Sequence, residues 1–382
     1  MQRLSVAPLA PFLKEDLGLT GAQVGLFMSS ASFGSILTAI PAGWLADRIG
    51  VRWLLLIGGL VGGIFMGSML FVTTFTQGII VMALAGTGMG CISPSTTKAI
   101  LEWFPAKERA TAMGLKQTGL NAGGIVGAST LPTVALALSW HYGFLGIGLM
   151  VVVIGIMSFV FYKEPPRDVG LYTSEPVKPS GARPSALDIF RNIDIWLLFI
   201  AGMCLVVVEF AAIAYFVLYL KEALLFRVVT AGFFLAIAEG SGVFGKPVSG
   251  LISDRLLHGK RKRVFILMCS TIFVICMIFA FLRQGIPSWV VILLSFVFGF
   301  TTIGWAGLHL TLVGEFAGKE LTGTVSGVMS PFMAMGNIIG PPVFGYIIDS
   351  TGSYQIGWGF LAVVALLATV LLFFVREERR KM

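Results

Sequence analysis

Long apolar runs separated by short polar connections are the dominant pattern along the chain. Runs of about 20 residues are long enough, as helices, to cross the roughly 30 Å hydrocarbon core of a bilayer. Because lipid offers the backbone no hydrogen-bond partner, helices are the natural structure for such runs. The pattern predicts an all-α polytopic membrane protein. The predicted spans are residues 23–45, 53–72, 79–102, 111–135, 143–162, 194–220, 231–252, 264–282, 288–312, 322–348 and 356–375.

A shorter apolar fragment, MQRLSVAPLAPFLKED, precedes the first of these spans. Sliding the chain against itself by 207 residues gives ten identities in the 36 positions from Leu13 to Arg48, which indicates a tandem duplication. The span that begins near Asp194 is then the counterpart of the opening fragment. The alignment would place its start about thirteen residues before Met1. We therefore expect an incomplete first span, from truncation or a misassigned start codon; a genuinely short re-entrant segment is the alternative.

The distribution of charge predicts the orientation in the membrane. Only 12% of residues are charged, against about 25% in soluble domains. One alternating set of connections and the C-terminal tail hold 19 Lys and Arg, whereas the other set holds four. The positive-inside rule places the first set and the C-terminus in the cytoplasm, which indicates a plasma (inner) membrane protein. The net charge of +8 is thereby explained by topology and lipid headgroups, so nucleic acid is not an expected partner.

The connection 163–193 is rich in Pro, Ser and charged residues, and it reads as a flexible cytoplasmic linker. The predicted organisation is a transmembrane bundle at 1–162, this linker, a second bundle at 194–375 and a cytoplasmic tail at 376–382. The four cysteines all lie within apolar runs, where they favour a packing role over disulfides or metal ligands. We expect no metal and no cofactor.

Two polar segments at matching places of the two halves carry a family signal. PAGWLADRIGVR follows the first complete span, and GLISDRLLHGKRKR occupies the same place in the second half. With the duplicated halves and the central linker, the chain resembles the major facilitator superfamily. The resemblance implies two six-helix bundles related by a pseudo-twofold axis. It also implies gating-loop roles for seven residues: Gly43, Asp47, Arg48, Arg52, Gly250, Asp254 and Arg255.

The resemblance further implies that Asp47 meets the helix start near 322–324, and that Asp254 meets the one near 110–112. For the basic residues of these loops, simple positive-inside anchoring is the alternative. Two other family signals are absent. Leu84 stands where many proton-coupled members carry an arginine, which puts a standard proton relay in doubt. GLNAGGIVGASTLP lacks the glycine–proline pattern of drug antiporters, which argues against drug efflux.

Charged residues inside the spans are the candidates for function. A charge at the bilayer midplane costs at least about 2.5–3.5 kcal/mol, so one that persists usually faces a wet cavity or a partner. The substrate-binding candidates are Arg3, Lys116, Gln117, Asn121, Lys246 and Asn337. The proton-coupling candidates are Glu209, Glu239 and His309.

Some of these positions have structural alternatives. Lys98 is close enough to the cytoplasmic end of its span to reach the headgroups. For His309 a packed, hydrogen-bonded side chain is the favoured alternative, and for Glu239 the alternative is an ion pair that joins helices. When Lys98 is left out, the charged residues deep within the spans are three cations and two carboxylates, which favours an anionic substrate. GLKQTG is similar to the fifth span of the anion:cation symporter branch of the superfamily.

The favoured function is a secondary transporter that takes up a small organic anion, coupled to protons or another cation, by alternating access in a monomer. A proton-antiporting exporter of amphipathic compounds and a transport-inactive membrane sensor or scaffold are the alternatives. GSGVFGKP nearly matches a P-loop, but Pro247 stands at the Mg²⁺-ligand position within an apolar helix, so a nucleotide site is excluded. The sequence offers no catalytic constellation, and we do not expect an enzyme.

Overall fold

A computed structural model of the protein describes residues 4–105, 108–164, 191–257 and 261–376. These ranges contain α-helices and no β-strand. A 3₁₀ segment, Ser68–Phe71, follows the helix Val51–Gly67, and a π-helical turn, Ile252–Leu256, follows the helix Val228–Leu251. The helices are α1 Val6–Asp16, α2 Gly21–Ile49, α3 Val51–Gly67, α4 Phe75–Trp103, α5 Arg109–Ala137, α6 Trp140–Phe161, α7 Ile193–Glu222, α8 Val228–Leu251, α9 Arg261–Phe281, α10 Ser288–Thr302, α11 Ala306–Thr351 and α12 Tyr354–Phe374.

Helical segments long and apolar enough to cross a membrane occur eleven times in the described ranges. They overlap all eleven predicted spans, with ends that differ by a few residues. For example, the span predicted at 264–282 is helix Arg261–Phe281, and the one at 356–375 is Tyr354–Phe374. The predicted class, an all-α integral membrane protein, is confirmed.

The span predicted at 288–312 is not one continuous helix. It is interrupted between α10, which ends at Thr302, and α11, which begins at Ala306. Conversely, the connection predicted at 313–321 is helical and lies within α11. It contains Ala, Glu, Lys and Leu, which are strong helix formers.

The chain divides by its packing into two units, Met1–Leu19 with Leu26–Arg183, and Thr20–Gly25 with Pro184–Met382. In unit 1, α3 packs between α4 and α6 through glycines. A Cβ added at Gly59 would lie 2.6 Å from the Cα of Gly155, and one added at Gly88 would lie 2.3 Å from the amide nitrogen of Gly62. Small residues at such interfaces let helix backbones approach closely, as in other membrane helices.

Unit 2 is built around α7, most of whose residues are buried. An aromatic cluster fills its interior around Trp358, which is fully buried. The Trp358 ring lies 4.8 Å from Phe279 and 5.3 Å from Tyr219, measured between centroids. Unit 2 also includes the first turn of α2, whereas the remainder of that helix belongs to unit 1.

Candidate functional site

Lys116 lies within α5 of unit 1, in the second turn, and its ammonium group is held by α4. Nζ donates to Thr97 Oγ1 at 2.6 Å and to the Ser93 carbonyl oxygen at 3.0 Å. Both partners are neutral, and no carboxylate lies within 4.0 Å of Nζ in the part of unit 1 that the structure describes. An ammonium has three donors, so one stays available. The side chain is half-buried and carries a net positive charge that the two neutral partners do not balance.

The other predicted substrate-binding residues differ in burial. On α5, Asn121 is buried and Gln117, one turn before it, is exposed. Asn337 is buried within α11. Arg3 lies outside the described residues, so its predicted proximity in depth to Glu209 stays a prediction.

The predicted gating loop of unit 1 forms an ionic contact with α4. Lys98 Nζ binds Asp47 Oδ1 at 2.7 Å and the Ala46 carbonyl oxygen at 2.8 Å, at the C-terminal end of α2. Glu102, one turn further along α4, lies 3.8 Å from the same ammonium. Lys98 is thus held by an ion pair with the loop aspartate, and its predicted reach to the headgroups stays a prediction. Arg52 donates to the Phe159 carbonyl oxygen at 2.5 Å.

The second loop of the pair also forms an ionic contact, in unit 2. Arg261 lies 3.6 Å from Asp254 Oδ1 and 2.5 Å from Glu315 Oε1. In each unit, one cation thus joins the loop aspartate to a glutamate on another helix. A Cβ added at Gly43 or Gly250 would meet nothing within 4 Å among the described residues, so packing there does not require glycine.

Arg48 and Arg255 of the two loops are exposed, and Arg48 lies over the Trp44 ring at 3.8 Å from its centroid. The contacts that the resemblance implied, from Asp47 to 322–324 and from Asp254 to 110–112, stay predictions. The side chains of 322–324 and of 110–111 lie outside the described set.

Glu209, the predicted proton-coupling residue of α7, binds a side chain that sequence reasoning did not single out. Its Oε2 accepts a hydrogen bond of 3.0 Å from Trp305 Nε1. Trp305 is buried and stands in the interruption between α10 and α11. The two residues are 96 positions apart. A hydrogen bond to a carboxylate is charge-assisted and stronger than one between neutral groups.

Glycine contacts between α8 and the end of α10 fix the interruption in place. A Cβ at Gly245 would lie 2.3 Å from the Phe300 carbonyl oxygen, and one at Gly242 would lie 2.6 Å from Ile303. A Cβ at Gly304 would lie 3.0 Å from the Cα of Gly245. Irregular backbone at membrane depth is tolerated where it is buried in protein or lines a cavity. The close approach of α8 provides that cover.

His309 is packed in the way that its alternative interpretation expected. Its Nε2 binds the Leu198 carbonyl oxygen of α7 at 3.0 Å, and because a carbonyl only accepts, Nε2 carries the proton. The ring is buried, and a Cβ at Gly202 would lie 2.6 Å from its Cε1. These contacts use the imidazole to join α11 to α7.

Glu239 and Lys246 are seven residues apart on α8 and therefore share one face of that helix. Glu239 is buried and Lys246 is half-buried. Both residues have interactions within the protein.

Two residues of these sites, Trp305 and Thr97, were missed by sequence reasoning. Trp305 carried a usable signal, because an indole N–H inside an apolar span needs an acceptor. It also follows FTTIG, in which β-branched residues and glycine weaken a helix. Thr97 carried none, since a threonine in a helix usually bonds its own preceding turn.

Comparison with known proteins agrees with this architecture. The chain is 26% identical to a probable sulfoacetate transporter of Cupriavidus necator, covering 97% of this chain and 89% of that protein. It is 24% identical to a hexuronate transporter of Bacillus subtilis, covering 97% and 90% of the two chains.

Solved structures share the fold. A bacterial homologue of the human lysosomal transporter Spinster, in an inward-facing occupied conformation, matches with a TM-score of 0.79 at 15% identity, over 98% of this chain and 93% of that one. A D-xylose–proton symporter matches with a TM-score of 0.79 at 17% identity, over 100% and 95%. The model of the Major Facilitator Superfamily matches residues 1–336. The chain belongs to the Major Facilitator Superfamily.

Proposed function

We propose that the protein takes up a small hydrophilic organic anion bearing a carboxylate, by proton-coupled alternating access. The observation that carries the proposal is Lys116, a cation within a membrane span whose two described partners are neutral. Such a charge is costly in a bilayer unless a counter-charge reaches it. A substrate carboxylate would supply that counter-charge and bind the remaining donor.

The named relatives support an anionic substrate. Besides the sulfoacetate and hexuronate transporters, they include a probable galactarate/D-glucarate transporter of Bacillus subtilis, at 24% identity. The acids in these names are small and negatively charged at neutral pH, and they bear carboxylates, with a sulfonate in sulfoacetate. We assign contact with the anion to Lys116 and Arg3, with Gln117, Asn121, Lys246 and Asn337 as further polar contacts.

We assign the coupling proton to Glu209. Its carboxylate binds Trp305, which stands in a helix interruption, the kind of feature at which transporters place coupling sites. Glu239 is the second candidate. His309 receives a structural role from its bond to Leu198, and it is the weakest of the three proposed proton carriers.

The remaining proposed properties follow from the sequence. We place the protein in the plasma (inner) membrane with a cytoplasmic C-terminus, because the 19 Lys and Arg of one set of connections belong inside. It acts as a monomer of two bundles, 1–162 and 194–375, joined by the linker 163–193 and followed by the tail 376–382.

Uptake into proteoliposomes tests the proposal. Labelled hexuronate, galactarate and sulfoacetate should accumulate when the outside is made acidic, and they should not accumulate without a gradient. Lys116→Gln should reduce uptake at least tenfold, whereas Arg283→Gln should not, because it removes an exposed cation from a connection. Unchanged uptake by Lys116→Gln, or no uptake of any of these anions by the parent protein, would refute the assignment.

Exchange measurements separate binding from coupling. Glu209→Gln should abolish accumulation driven by a pH gradient but keep exchange of labelled for unlabelled substrate, since exchange requires no net proton movement. Gradient-driven accumulation by Glu209→Gln at the parental level would remove Glu209 from the coupling step while leaving the anion assignment in place.

A further inference from the structure

We propose that Trp305 is a positioning residue that sets the pH range of transport by holding the ionised carboxylate of Glu209. The inference rests on the proposed function, in which Glu209 carries the coupling proton. It adds a group that affects how readily that proton is taken up and released.

The geometry of the contact favours the ionised carboxylate. Trp305 Nε1 can only donate, and it lies 3.0 Å from Glu209 Oε2. A donor aimed at a carboxylate stabilises its charged form more than its neutral form, because the bond to the charged oxygen is stronger. Trp305 is 3% exposed, so water competes little for its N–H. The contact should therefore hold back protonation of Glu209.

The indole is held firmly enough to act in this way. The Phe265 ring of α9 lies parallel to it at a centroid distance of 6.2 Å, and the His309 ring meets it edge-on at 5.3 Å. His309 is itself bound to the Leu198 carbonyl oxygen of α7. The same helix that carries Glu209 therefore anchors a neighbour of Trp305, four residues along α11.

The interruption before α11 explains why a tryptophan can stand at this place. Gly304 allows the backbone to approach α8, since a Cβ there would lie 3.0 Å from the Cα of Gly245. This approach fixes the backbone immediately before Trp305. The direction of the indole therefore depends on the contact of α8 with α10, and not on the flexibility of a loop.

Replacing Trp305 by phenylalanine removes the N–H and keeps an aromatic ring. With that donor lost, Glu209 should take up a proton more readily. The midpoint of the pH profile of gradient-driven uptake should move to higher pH by about one unit, the size expected for one charge-assisted hydrogen bond. Proton-independent exchange should stay within about twofold of the parent, because the anion site is unaltered.

Trp358→Phe is the matched control. Trp358 is fully buried in the same unit, and its Nε1 has no hydrogen-bond partner among the described residues. This substitution therefore makes the same chemical change without removing a hydrogen bond. It should leave the pH midpoint in place. Equal midpoints for Trp305→Phe and Trp358→Phe, both measured on folded protein, would overturn the proposal.

Glu209→Asp gives a second route to the same contact. It keeps a carboxylate but draws it back from Trp305 by one methylene, so its pH midpoint should also move upward. Combined with Trp305→Phe, it should add little further shift, because both changes remove one interaction. If Trp305→Phe does not fold, an unshifted midpoint in Glu209→Asp alone refutes the positioning role.

The failure of the proposed function would look different. If the Glu209→Gln variant still accumulates substrate when a pH gradient is applied, another group carries the proton. In that case Trp305→Phe should leave the midpoint unchanged, and the roles of Glu209 and Trp305 both fall while the anion assignment stays in place. Loss of coupling in Glu209→Gln together with an unshifted Trp305→Phe refutes the role of Trp305 alone.

Discussion

Asp349, at the end of α11, completes the N-terminus of α2 within unit 2. Its Oδ1 accepts from the Gly21 amide at 2.6 Å, and its Oδ2 accepts from the Ala22 amide at 2.7 Å. Thr20 and Gln23 form a capping box. Thr20 Oγ1 accepts a hydrogen bond from the backbone N–H of Gln23, and Gln23 Oε1 accepts one from the backbone N–H of Thr20. The first N–H groups of a helix have no partner inside it. Asp349 therefore satisfies donors that the capping box leaves over.

We expect Asp349→Ala to lower the free energy of unfolding by about 2 kcal/mol. The figure combines the loss of a helix-capping acid, about 0.5–2 kcal/mol, with the strength of bonds to a charged group, about 1.5–3 kcal/mol. It is kept at the lower end because the bond to Ala22 is exposed. Asp349→Asn should cost about half as much, since its amide keeps one oxygen acceptor.

Thermal unfolding of the detergent-purified protein measures the effect. Ser350→Ala is the matched control, because among the described residues the Ser350 hydroxyl bonds only to the Ile347 carbonyl oxygen of its own helix. Gly21→Ala should destabilise through the same contact, since the new Cβ would lie 2.8 Å from Asp349 Oδ1. If Asp349→Ala unfolds at the same temperature as Ser350→Ala, the carboxylate does not hold the helix and the reasoning is wrong.

Two other substitutions test the packing and the ionic contacts. Gly245→Ala should destabilise the protein by about 1–3 kcal/mol, because its Cβ would lie 2.3 Å from the Phe300 carbonyl oxygen. Gly359→Ala should not destabilise it, because a Cβ there meets nothing within 4 Å in the described ranges. Equal thermal midpoints of the two variants would contradict the α8–α10 contact. Arg261→Gln should lower stability by at most about 1 kcal/mol, because its carboxylate partners are largely exposed. Unfolding curves measured over a series of salt concentrations should show that this loss of stability shrinks in 0.5 M salt. A large loss that does not depend on salt would show that the contact is not a screened surface pair.

The spans were predictable because hydrophobic length is a local property. A run such as 356–375 must be helical in lipid whatever it packs against, and helix Tyr354–Phe374 follows it closely. The sequence also pointed to the two loop aspartates, but it did not show that Asp47 binds Lys98 and that Asp254 contacts Arg261. The interruption at 303–305 was not predicted, because hydropathy averaged over 20 residues does not change where three residues leave the helix.

The hydropathy pattern did not show which partner each candidate functional residue binds. In the structure, Lys116 is hydrogen-bonded to Thr97 and Ser93. Glu209 is hydrogen-bonded to Trp305, and His309 to the Leu198 carbonyl oxygen. Apolar periodicity shows which side of a helix is buried, but it does not show the height or rotation at which another helix crosses it.

The sequence alone determined the membrane class, the positions of the spans and the presence of charges within them, because each follows from the transfer of short segments into lipid. The tertiary structure alone decided that α8 approaches α10 through glycine, and that Trp305 consequently reaches Glu209. The physical reason is that hydrogen bonds and backbone contacts depend on distances of a few ångströms between residues far apart in the chain. Hydropathy carries no information at that scale.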